Sequence, residues 1–68
     1  MRNWLKILRE KNSLKQYEMG ELLNVSQACY GMIESGNRQQ DLKLSVAIKI
    51  SDLFGISLEE IKKYEQAK

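Results

Sequence analysis

The sequence predicts an all-α domain of five short helices, and three observations predict it. The 68 residues contain no proline. Apolar residues recur at i, i+3 and i+4 instead of alternating. Turn residues, Asn12-Ser13, Asn24, Gly36 and Gly55, break that recurrence at short intervals. A chain of this length makes one domain, residues 1–68. Its core can supply only roughly 3–5 kcal/mol unless the helices pack well or the chain oligomerises.

The first helix is expected from Arg2 to about Lys11, with Trp4, Leu5 and Leu8 on one side. Asn12 and Ser13 interrupt it. Ser13-Leu14-Lys15-Gln16 has capping-box spacing, so a second helix is expected to begin there, with Met19, Leu22 and Leu23 as its apolar side. Asn24-Val25-Ser26 is a tight turn, and Ser26 is a good N-cap for a third helix over Gln27–Ser35. Val25 and Tyr30 are spaced as a hydrophobic staple, and Gly36 stops the helix. After a polar loop from Asn37 to about Lys43, the residues Leu44, Ala47, Ile48, Ser51 and Phe54 keep a helical period until Gly55. Ser57-Leu58-Glu59-Glu60 is a full capping box, with Ile56 and Ile61 as a second staple, for a last helix running toward Tyr64.

Composition excludes several classes of function. No histidine is present, which removes the commonest general base and metal ligand. The single cysteine, Cys29, cannot form a disulfide within the chain; a lone thiol fits the reducing cytoplasm, the expected location. Cys29 has no base beside it in the pattern and reads as a small helix residue. No apolar run approaches the roughly 18 residues of a membrane span. No phosphate-cradling glycine loop, metal-ligand spacing or nucleophile–base pair occurs, so neither enzymatic activity nor a cofactor is expected. The net charge of +2 permits nucleic-acid binding without requiring it.

The informative stretch is Gln16 to Glu34. Gly20 sits mid-helix despite a cost of about 1 kcal/mol relative to alanine, which makes sense if the third helix approaches closely there. Asn24, at the turn, suits the left-handed conformation. Val25, Tyr30 and Ile33 are expected to face the core. Gln27, Ala28, Gly31, Met32 and Ser35 are then left exposed on the third helix as an uncharged strip. Such a helix suits a major groove, with its N-terminal residues against base edges.

The stretch LKQYEMGELLNVSQACYGMIESGNR resembles the Xre/Cro family of helix-turn-helix regulators, which includes the small repressors of phages. The resemblance covers nearly the whole chain, to the FGISLEEI ending. It implies a compact five-helix lambda-repressor-like fold and binding to double-stranded DNA. By the resemblance, Gln16 holds a phosphate. Ser26, Gln27 and Ala28 meet phosphate and base edges, and Gly31 and Met32 occupy the next groove-facing turn. Asn37, Arg38 and Lys43 touch the far phosphates. Arg9 and Glu34 match positions of a partly buried ion pair and are assigned to structure.

The sequence also departs from the family. Lys15 replaces the usual serine N-cap, so the second helix is expected to start a residue or two earlier. The loop before the fourth helix is longer than usual and lacks its common proline. Among Gln27, Ala28, Gly31 and Met32, only Gln27 carries an amide suited to adenine.

The expectation is a sequence-specific transcriptional regulator, a repressor, bound as a homodimer to a two-fold-symmetric site with half-sites roughly 34 Å apart. Its dimer surface would involve Leu58, Ile61 and Tyr64 and the loop before the fourth helix. If the 68 residues are the whole protein, no sensor domain and no small-molecule effector are expected. The rival is a protein-interaction module of the same fold, of antirepressor or antitoxin type, which the uncharged strip and an outward Met32 favour.

Overall fold

A computed structural model describes residues 1–36 and 41–67. Five helices follow in order: α1 Asn3–Lys11, α2 Gln16–Leu23, α3 Gln27–Ser35, α4 Leu44–Phe54 and α5 Leu58–Ala67. No strand occurs among the described residues. Asn37 and Arg38, expected to reach phosphate, lie outside the described residues.

Helix ends follow local chemistry, with one correction. Ser13 is not the N-cap of α2. It has φ +55° and closes α1: its N–H donates to the Glu10 carbonyl, and the Leu14 N–H reaches back to the Arg9 carbonyl at 3.1 Å. That pair of bonds is a Schellman motif, which needs a left-handed residue where Ser13 stands. With Ser13 so engaged, α2 begins at Gln16, not earlier, and Lys15 is its N-cap. A lysine side chain accepts no hydrogen bond. Only half a capping box forms, the Glu18 carboxylate accepting from the Lys15 backbone N–H at 2.7 Å.

Asn24 adopts the left-handed conformation at φ +61°, and the Val25 N–H returns to the Gly20 carbonyl at 2.8 Å. Ser26 Oγ accepts from the Cys29 N–H at 3.0 Å and starts α3 as anticipated. At the head of α5 the Ser57–Glu60 box forms in both directions. These caps set the α2–α3 crossing, and Gly20 sets its distance. A Cβ built on Gly20 would stand 3.0 Å from the Val25 carbonyl oxygen and 3.3 Å from that of Ser26.

The core comprises Leu5, Met19, Leu23, Tyr30, Val46, Ala47, Ile50 and Ile61, so every helix contributes. Trp4, Leu8, Val25, Ile33, Phe54 and Ile56 pack around it. Each large apolar side chain buried this way contributes about 1.5–3 kcal/mol before the entropy of ordering is subtracted.

Helix α4 departs from the expected stripe. Val46, Ala47 and Ile50 are buried, whereas Leu44 is 69% and Ile48 42% exposed. Apolar residues cover more than half of this helix, so two overlapping stripes satisfy the same period. Packing against α2, where Lys49 Nζ reaches the Leu23 carbonyl, selects the second stripe. Ile61 is likewise core at 3% exposure rather than a docking surface; Leu58 and Tyr64 remain exposed.

One contact between the chain ends had no sequence signal. Arg2, expected as the first helical residue, is instead the N-cap of α1 and is 1% exposed. Its Nη1 donates to the Ile33 carbonyl at 2.6 Å and its Nε to Glu65 at 2.9 Å. Trp4 Nε1 donates to the same Glu65 oxygen at 2.8 Å, and the Trp4 ring stacks on Tyr64 at 5.4 Å. The end of α5 is thereby clasped to the start of α1 and, through Arg2, to the end of α3.

Candidate nucleic-acid interface

The third helix owes its placement to a cluster of polar groups around Glu34, which is 2% exposed. Arg9 Nε donates to Glu34 Oε2 at 2.8 Å, and Arg9 Nη2 to Oε1 at 3.3 Å. Tyr30 Oη donates to Oε2 at 2.6 Å, and Gln16 Nε2 to Oε1 at 3.1 Å. The remaining Arg9 nitrogen, Nη1, holds the Leu14 carbonyl at 2.9 Å. The cluster thus ties α1, the α1–α2 turn, α2 and α3 together, and the Arg9–Glu34 ion pair implied by the resemblance is present.

Burial pushes the Glu34 carboxyl upward, but the hydrogen bonds from Arg9, Tyr30 and Gln16 outweigh it and hold the carboxyl below the usual range. Tyr30 is shifted upward, first by burial and then by the neighbouring carboxylate. Arg9 is shifted upward, chiefly by its hydrogen bond to Glu34. At neutral pH the cluster is an ion pair with neutral donors around it. No buried side-chain nitrogen or oxygen among the described residues lacks a partner.

With its inner side fixed, α3 presents the outer strip that its phase predicts. Gln27 and Ala28 are exposed, Gly31 is half-buried and Met32 is 49% exposed. Ser26, exposed, spends an oxygen lone pair on its own cap and keeps its hydroxyl proton. Ser35 Oγ turns back to the Met32 carbonyl at 3.0 Å.

The two flanks of the strip differ. On one side is Gln16, whose Oε1 would lie 3.9 Å from a Cβ on Gly31. On the other, Lys43 shares a cleft of about 380 Å³ with Val25, Cys29, Met32, Ile33 and Leu42. The structure therefore brings Gln16, Ser26, Gln27, Ala28, Gly31, Met32 and Lys43 onto or beside α3. Cys29, half-buried, lines the same cleft.

Lys15 was not anticipated. It and Lys43 are exposed N-caps of α2 and α4. A cation at a helix N-terminus opposes the helix dipole, so neither lysine helps its own helix. Each places a cation at a helix N-terminus, Lys15 close to the Glu18 carboxylate that accepts from its own N–H and Lys43 in the cleft that Asp41 also lines. The sequence signal was a basic residue in a position where a serine was expected.

A family model described as "Helix-turn-helix" matches residues 5–61. A protein of Methanocaldococcus jannaschii, named an uncharacterized HTH-type transcriptional regulator, is 38% identical over 65 residues, covering 96% of this chain and 96% of its own. No solved structure matches the chain.

Proposed function

The chain belongs to the helix-turn-helix family, and from that premise we propose that it is a DNA-binding transcriptional regulator whose α3 docks in a major groove. The carrying observation is the outer strip of α3, left uncovered by the fold and flanked by Gln16 on one side and Lys43 on the other. In this reading Gln27 and Ala28 meet base edges, the amide on adenine and the methyl on thymine. Gly31 and Met32 form the next groove-facing turn. Gln16, Ser26, Lys43 and, by the family pattern, Asn37 and Arg38 hold phosphates. Lys15 joins them.

A single α3 spans only a few base pairs, so the working unit is a homodimer on a two-fold-symmetric site, with half-sites roughly 34 Å apart. Leu58 and Tyr64, exposed on α5, and the segment before α4 supply the dimer surface. We read the regulation as repression by occupancy, in the cytoplasm. No helix among the described residues is long and apolar enough to cross a membrane, and this reading requires no effector.

A second reading has its own observation. The exposed Met32 adjoins the largely apolar cleft beside α3, which suits a protein partner. Selection from a random duplex library by the purified protein, at about 100–150 mM salt where non-specific binding is weakened, separates the two. Enrichment of a short inverted repeat is the expected result, with K43A lowering affinity and flattening its salt dependence. A folded chain that enriches nothing, and whose partner capture is lost in M32D but indifferent to salt, establishes the protein-interaction module instead.

A further inference from the structure

Glu34 is a structural residue by burial, and one of its four hydrogen bonds also reaches a side chain outside the core. Arg9 and Tyr30 supply three of these bonds; the fourth, from Gln16, extends the cluster to a half-exposed side chain at the first position of α2. A carboxylate accepts and cannot donate, so it dictates which end of the Gln16 amide faces it: the nitrogen. One N–H is then committed at 3.1 Å, and the second N–H and the carbonyl oxygen make no hydrogen bond among the described residues.

The neighbour across this amide is Gly31, the one position of the strip without a side chain. A Cβ there would stand 3.9 Å from Gln16 Oε1, with no closer atom, so the half-exposed amide borders an open position of the strip. A long, flexible side chain is thus held by a buried anion and left bare beside the helix proposed to enter DNA.

We propose that Glu34 is a positioning residue for DNA binding, its carboxylate holding the Gln16 amide so that the second N–H meets a phosphate of the duplex. The inference rests on the DNA-binding reading above. Arg9 acts with it: by pairing with Glu34 and holding the Leu14 carbonyl, it anchors both the carboxylate and the turn from which Gln16 emerges. Without the tether, Gln16 must be ordered during binding. Immobilising one rotamer-rich side chain lowers affinity roughly two- to tenfold. Losing the N–H–phosphate bond altogether lowers it about tenfold or more. The phosphate is a sequence-independent contact, so the tether sets affinity and register, not base preference.

The test is a double-mutant cycle on the full chain, with Q16M, E34Q and the double variant titrated against labelled duplex carrying the inverted repeat enriched from the library. Q16M is expected to weaken binding about tenfold while leaving the salt slope nearly unchanged, because a neutral amide donates to a phosphate without neutralising its charge. E34Q is expected to weaken binding in the wild-type background and to have no further effect in Q16M, although it lowers stability in both. Additive losses overturn the proposal, because Glu34 then acts only through the fold. Wild-type affinity in Q16M overturns it as well.

Should E34Q fail to fold, nitrogen-15 relaxation of the glutamine side chains decides the matter in the wild-type protein. The Gln16 amide is expected to be as rigid as the backbone, and exposed Gln27 mobile; equal mobility of the two overturns the tether. A wild-type chain that binds no duplex refutes the underlying reading. Duplex binding with an additive cycle refutes the positioning role alone.

Discussion

Replacing Gly31 by alanine tests whether the outer strip of α3 is kept bare for something outside the chain. Glycine in a helix interior costs about 0.8–1.0 kcal/mol relative to alanine. Inside this fold nothing demands it: a Cβ at residue 31 meets no atom closer than 3.9 Å, an ordinary contact with the Gln16 side chain. G31A should therefore stabilise the free protein by about 0.5–1 kcal/mol. For a domain this small, that raises the melting temperature by roughly 2–8 °C. Urea denaturation followed by helical circular dichroism should show a higher midpoint with an unchanged slope.

Gly20 is the internal control. The same substitution there gains the same propensity but places a methyl 3.0 Å from the Val25 carbonyl oxygen and 3.3 Å from that of Ser26, both backbone atoms. G20A should emerge at least about 1 kcal/mol less stable than G31A, since close contact in a packed site costs on that order. In a duplex-binding assay G31A should nevertheless bind more weakly than wild type, its methyl intruding where the duplex approaches. If G31A is no more stable than wild type, or matches G20A, the open-space argument for Gly31 is wrong.

Three further outcomes follow from the polar clusters. The Glu34 carboxyl is held below its ordinary value of 4.5, so its contribution to stability is complete above that value and drains away as pH falls through it and on through the folded value. The stability gap between wild type and E34Q, taken from urea midpoints, should accordingly narrow below pH 4.5; a gap constant from neutral to acid pH would contradict the assignment. R9A leaves a 2% exposed carboxylate without its cation, a loss of about 3–5 kcal/mol that matches what a core of this size supplies. That variant should be largely unfolded by circular dichroism, and cooperative melting near the wild-type temperature would disprove it. Trp4 is the sole tryptophan. Removing its acceptor in E65A should shift its emission to the red and loosen α5 while α2 and α3 stay helical; unchanged emission would mean that the clasp does not hold the C-terminal helix.

The resemblance and the local chemistry carried most of the architecture because caps act within one turn of helix. The bonds at Ser26, at the Asn24 turn and in the Ser57–Glu60 box each join groups three to five residues apart, and so were legible as short patterns. Ser13 shows where local reading divides: the same residue suits a helix start and a left-handed helix stop. The return of Leu14 N–H to the Arg9 carbonyl chose the stop. Helix α4 shows the limit of periodicity, since two apolar stripes share Ala47 and Phe54 and only the neighbours decide which one is buried.

By itself, then, the chain's sequence determined five helices, their order, the small residue at the α2–α3 crossing and the uncharged strip on α3. Each depends on side chains a few residues apart, whose geometry the backbone imposes. Tertiary structure alone decided that Arg2, Trp4 and Glu65 clasp the ends together across 63 residues of sequence. It likewise decided that Leu44 and Ile48 face outward, and that Gln16 is bound to Glu34. Those outcomes depend on which surfaces meet when helices distant in sequence compete for the same core, a choice that no local periodicity encodes.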